Sequence, residues 1–122
     1  MDRLFLIAGA LASFAGVVLG AFAAHVLKSR LAPDMFAVFE VGVRYHMYHA
    51  LALLSLAWAS GKWPGPWTTS AGAFFLAGIL VFSGSLYVLS LTGVRWLGAV
   101  TPLGGLCFLA GWLCLARAVW RG

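Results

Sequence analysis

The sequence predicts an all-α polytopic membrane protein, a bundle of four transmembrane helices. Two observations carry that expectation. The 122 residues are 63% hydrophobic and only 9% charged, with a mean hydropathy of +0.99, whereas a soluble domain covers itself with roughly a quarter charged residues. The apolar residues also gather into four long blocks, each able to cross ~30 Å of hydrocarbon at ~1.5 Å per residue.

The first block runs from about residue 4 to 27. Its Ala21-Phe22-Ala23 resembles a leader cleavage site, but the apolar core is long and Asp2 offsets Arg3. A retained helix is therefore expected. Lys28-Ser29-Arg30 and Ala32-Pro33-Asp34 break the chain before the second block, about residues 35–60. Gly61-Lys62-Trp63-Pro64-Gly65-Pro66 separates that block from the third, about 67–91, and Thr92-Gly93 precedes the fourth, about 95–119. Trp58, Trp63, Trp67, Trp96 and Trp120 fall near block ends, where interfacial aromatic belts lie. All four blocks form one membrane domain, residues 1–122.

Small residues recur on the helical faces. Gly9, Ser13, Gly16, Gly20 and Ala24 form a stripe on the first helix, and Ala71, Gly78, Ser85 and Thr92 one on the third. On the fourth, Gly98, Gly105 and Trp112 share a stripe with Gly104 and Gly111 beside it. Such stripes let helix backbones approach closely in lipid.

The formal net charge is +5, which in a soluble chain would suggest nucleic acid. Here Arg3, Lys28, Arg30, Lys62, Arg95, Arg117 and Arg121 flank apolar blocks, so lipid headgroups are the expected contact and no nucleic-acid partner is. Arg3, Lys62, Arg117 and Arg121 lie on the face carrying the termini, against Lys28, Arg30 and Arg95 opposite. That balance slightly favours cytoplasmic termini.

Depth is the most informative property of the polar residues. With the second helix ending near Ser60, His49 lies about 16 Å from that end, near the bilayer midplane. Arg44 and Glu40 lie progressively nearer the first loop. His25 ends the first helix at the same face. Ser83, Ser85, Tyr87 and Ser90 come late in the third helix, and Thr101 and Pro102 early in the fourth. The polar groups thus gather in one half of the membrane. Buried ionisable groups usually face a bundle interior, which predicts a polar pocket of His25, Glu40, Arg44, Tyr45, Tyr48, His49, Ser83, Ser85, Tyr87 and Thr101. Glu40 and Arg44, four apart, are expected to pair. Pro102, followed by Gly104-Gly105, predicts a kink in the fourth helix.

No cofactor or metal is expected. Two haem ligands need similar depths on facing helices, but His25 and His49 differ by about 15 Å in depth. His46 and His49 share a helix, and the only acid within a helix is Glu40, so no spaced ligand set exists. Cys107 and Cys114, seven apart on one helix, are separated by about 10 Å. That is too far for a disulfide, and both read as packing residues.

Taken together, Gly20-Ala21-Phe22-Ala23-Ala24-His25, Tyr45-His46-Met47-Tyr48-His49-Ala50-Leu51-Ala52-Leu53, Phe82-Ser83-Gly84-Ser85-Leu86-Tyr87 and Thr101-Pro102-Leu103-Gly104-Gly105 resemble the YgdD/YwdK-type family of small bacterial inner-membrane proteins. The resemblance covers nearly the whole chain. It implies a four-helix fold in the plasma (inner) membrane and supplies no activity. The family pattern usually places glycine at position 23 and glutamine at 46, where this chain has Ala23 and His46. That departure argues against His46 as an essential titrating group and shifts attention to His25 and His49.

The leading functional expectation is a non-enzymatic accessory or scaffold protein that binds membrane lipids or a membrane partner. It would act as a homo-oligomer or as a subunit of a larger membrane complex. The alternative is a small proton-coupled transporter using His49 and Arg44. An enzyme acting on lipid through Ser83 or Ser85 ranks third, because no acidic residue is placed to orient a histidine.

Overall fold

The computed structural model describes residues 2–122. Helix α1, Asp2–His25, is followed by one 3₁₀ turn at Leu27–Ser29. Helix α2, Pro33–Lys62, is the longest, with 30 residues. Pro33 fits its first turn because the missing N–H is not needed there. Gly65 then adopts φ 135°, a backbone that side chains oppose, and Pro66 opens α3, Pro66–Gly78.

The third crossing is a continuous run of three parts. After α3 the chain widens into a π-helical turn, Ile79–Ser83, and continues as α4, Gly84–Thr92. Gly93 ends it at φ 74°, with its N–H on the carbonyl of Leu89 at 2.7 Å. This left-handed cap is the usual use of a glycine after a helix. The fourth crossing starts as a 3₁₀ helix, Arg95–Ala99, and becomes α5 at Thr101–Arg121. Pro102 therefore sits in the first turn of α5 and does not kink the middle of a helix as expected. Its fixed φ and missing N–H suit that junction.

Helices α1 and α2 pack along each other, as do the third crossing and α5, and α2 joins the two pairs by packing on the third crossing. Runs 2–29, 66–92 and 95–121 are each long and apolar enough to cross a membrane. Helix α2 is long enough, about 45 Å, but its polar and aromatic residues dilute its apolar character. Close approach depends on two glycines of α5. A Cβ on Gly104 would collide with the backbone of Phe82, and one on Gly111 with the ring of Phe75.

Two apolar clusters form the core. The larger holds Phe5, Leu53, Leu56, Phe75, Ile79 and Phe108, and the smaller holds Ala23, Leu27 and Phe39. On α2 they are separated by the turns carrying His46 and His49, both buried. A polar layer thus lies between two apolar ones.

Candidate functional site

His46 and His49 anchor the polar layer, and each is bonded at both ring nitrogens. Nδ1 of His49 lies 2.8 Å from the carbonyl of Tyr45, and Nε2 lies 3.0 Å from the indole nitrogen of Trp112. A carbonyl only accepts and an indole N–H only donates. Nδ1 therefore carries the proton and Nε2 accepts, so both bonds together require the neutral ring. The ring also stacks on Phe108, with centroids 3.6 Å apart and planes 7° from parallel. His49 thus ties α2 to α5.

His46 uses the opposite tautomer. Its Nε2–H donates to the carbonyl of Ala12 on α1 at 2.8 Å, and in the neutral ring Nδ1 accepts from the hydroxyl of Tyr87 on α4 at 2.8 Å. One side chain therefore joins three elements. The serines make further ties. Ser83, fully buried, donates to the carbonyl of Gly42 at 2.7 Å. Ser85 and Thr101 lie 2.6 Å apart and also reach the carbonyls of Phe82 and Leu97.

Between α2 and α5 lies a lateral groove of about 680 Å³. Val41, Tyr45, Phe82, Leu106, Phe108 and Leu109 line most of it, and His49 and Trp112 bound one end. The π-helical turn helps to shape its floor by presenting Phe82, whose ring lies 5.1 Å from that of Tyr45 and 5.4 Å from that of Phe108. From Val41 to His49, or from Pro102 to Trp112, the groove runs about 12–15 Å along the helices. That is roughly one leaflet of a ~30 Å hydrocarbon core.

Comparison with known proteins places the chain. Residues 19–105 match the family described as "Protein of unknown function (DUF423)". The chain belongs to this family. It is 44% identical over 117 residues to the membrane protein YwdK of Bacillus subtilis, covering 95% of each chain. It is 47% identical over 124 residues to a UPF0382 membrane protein of Staphylococcus haemolyticus, covering 98% of this chain and 97% of the other. It is 41% identical over 119 residues to the inner membrane protein YgdD of Escherichia coli, covering 97% of this chain and 91% of the other. No solved structure matches at a significant level. The DUF423 chain is thus an integral membrane protein built of four helices.

In this DUF423 member the residues expected to form one pocket divide among several places. His49, Ser83 and Ser85 are buried, Tyr87 and Thr101 half-buried, and all five belong to the interhelical ties. Tyr45 lines the groove. His25 is exposed at the end of α1. Glu40, Arg44 and Tyr48 are exposed on the face of α2 turned away from its partners. They stand outside any pocket with His49, and the expected Glu40–Arg44 ion pair is not formed among the described residues. Their four-residue spacing puts them on a common face of the helix, but only packing decides whether that face points in or out.

His46, Trp112, Phe108 and Ala12 were missed. The departure of His46 from the family pattern hides its role, although glutamine and neutral histidine both offer a donor and an acceptor. In the sequence Trp112 shows only as a member of the Gly98, Gly105, Trp112 stripe. Its distance of 63 residues from His49 leaves no local signal. Among the described residues no three His, Cys, Asp or Glu side chains converge as ligands for a metal ion.

Proposed function

We propose that this protein is a non-enzymatic accessory or scaffold component of the membrane, holding a lipid or a membrane partner in the groove between α2 and α5. The observation that carries this reading is that the groove is open and largely apolar, while its imidazole and indole are committed within the chain. Both nitrogens of His49 and the N–H of Trp112 are bonded to each other or to backbone. The groove offers an occupant shape and apolar contact, and of its polar lining side chains only Tyr45 makes no hydrogen bond among the described residues.

A hydroxyl nucleophile needs a base within hydrogen-bond reach. Ser83 donates to a backbone carbonyl, and Ser85 shares its contacts with Thr101 and backbone. Neither touches a histidine, which supports a binding role over a catalytic one. A carrier mechanism using His49 and Arg44 has less support, because one faces the bundle interior and the other faces away from it.

The test is native mass spectrometry of protein extracted gently from its own membrane. The expected spectrum shows chain carrying bound lipid or a partner. Gly105 lines the groove and has space beside it, since a Cβ there would approach nothing closer than Phe82 at 4.0 Å. Gly105→Leu should fill the groove and reduce the retained ligand several-fold. Bare chain from the parent, or undiminished retention in Gly105→Leu, would reject the reading.

A further inference from the structure

Helix α2 has a second unpartnered surface, on the face beside the groove. Glu40, Arg44 and Tyr48 follow at four-residue intervals, so they stack along one stripe. All three are exposed, Tyr48 to 53%. Their side chains make no ion pair or hydrogen bond with any described residue, and the Tyr48 ring meets only that of Tyr45, 5.6 Å away on the same helix. Ala37 and Ser55, both small and exposed, lie further along the same stripe.

With His49 near the midplane, Arg44 and Tyr48 lie in the half of the hydrocarbon nearest the first loop, and Glu40, about 13 Å from His49 along the axis, lies at its edge. Charged side chains at that depth are costly and are normally turned inward toward partners. An acid, a base and a phenol turned outward together call for another surface against them. A lipid phosphate would answer Arg44, but Glu40 would repel it, and Tyr48 lies too deep for headgroup contact. The stripe is, however, complementary to itself, with an anion and a cation one turn apart.

We propose that it is the seam of a parallel two-fold dimer, in which Arg44 of each copy pairs with Glu40 of the other. An interface of this symmetry places the same patch on both copies, so the two ion pairs form together. The Cα atoms of Glu40 and Arg44 are offset by about 6 Å along the axis. Helical side chains lean toward the N-terminus, which raises the guanidinium of Arg44 toward the level of the Glu40 carboxylate. Tyr48 then meets its own mate, and one phenol can donate to the other. Ala37 and Ser55 allow the two helices to approach. The groove lies on the neighbouring face and stays open, so this inference and the proposed groove function can fail independently.

Two differently tagged copies, co-expressed and extracted in mild detergent, should co-purify. Glu40→Arg or Arg44→Glu alone should reduce co-purification at least tenfold by placing like charges across the axis. The double variant Glu40→Arg/Arg44→Glu should restore it, and the two single variants co-expressed should capture each other. Singles that co-purify like the parent, or a double variant that stays apart, would overturn the dimer. If Arg44 instead holds a lipid phosphate, Arg44→Glu loses bound anionic lipid and adding Glu40→Arg fails to restore it, which also overturns it. A second measurement leaves the charges untouched. Tyr48→Cys in a Cys107→Ala/Cys114→Ala background should form a disulfide-linked dimer in native membranes under mild oxidant, and a chain that stays monomeric there refutes the seam.

Discussion

Replacing His46 with glutamine keeps one donor for the Ala12 carbonyl and one acceptor for the Tyr87 hydroxyl, so His46→Gln should change stability by less than about 1 kcal/mol. His46→Leu removes the His46 acceptor of the half-buried Tyr87 hydroxyl and leaves the Ala12 carbonyl on α1 without its donor. An unsatisfied buried polar group costs about 1–3 kcal/mol, and thermal unfolding in detergent should show that loss for leucine alone. Trp112→Phe tests the other histidine. The ring contact 4.7 Å from Phe75 can persist, while the donor to Nε2 of His49 is lost. Interhelical hydrogen bonds in membranes contribute roughly 0.5–2 kcal/mol, so a drop of that size is expected in the same assay. An unchanged melting profile would mean that the bond contributes nothing.

The junctions between elements decide how close the helices come. Gly104 and Gly105 are adjacent in sequence and equal in composition, yet they face different surroundings. A Cβ at 104 meets the backbone of Phe82 within the π-helical turn, whereas at 105 it meets only a ring atom at 4.0 Å. Backbone cannot swing aside as a side chain can. Gly104→Ala should therefore cost on the order of 1–3 kcal/mol as overpacking, and Gly105→Ala should be nearly neutral. Parallel unfolding measurements on the two variants check this, and equal losses would show that α5 shifts freely along the third crossing. The π-helical turn belongs to this scale too. One widened turn places the ring of Phe82 between Tyr45 and Phe108, which shapes the groove through aromatic contacts.

Across the whole molecule, the basic residues predict a direction of insertion through the positive-inside rule. Arg3, Lys62, Arg117 and Arg121 lie toward the face of the termini, and Lys28, Arg30 and Arg95 toward the other. Lysine and arginine are retained on the cytoplasmic side. A reporter fused at Gly122 should accordingly report a cytoplasmic C-terminus. Because the margin is a single charge, two lysines added beside Arg30 should move a measurable share of molecules to the opposite orientation. A population that stays fixed would show that something other than these charges sets the topology.

Element order and composition were legible from the sequence because lipid leaves few choices. Backbone groups must be satisfied within each crossing, so helices follow from apolar length, and Pro33, Pro66 and Gly93 mark their ends through local φ preferences, whereas Pro102 reads as a kink until the 3₁₀ start of its crossing is seen. The membership of the DUF423 family rests on a match over residues 19–105, a span that contains the ordered motifs. Facing was not legible. Glu40, Arg44 and Tyr48 share a stripe by helical period alone, and only the packing of α1 and the third crossing on α2 turned that stripe outward. Tertiary structure also brought His49 to Trp112 and His46 to Ala12 and Tyr87, pairs 34 to 63 residues apart. Local chemistry fixes where a helix begins and which residues lie on one side of it. What that side touches depends on the other helices, and no spacing along one chain segment encodes it.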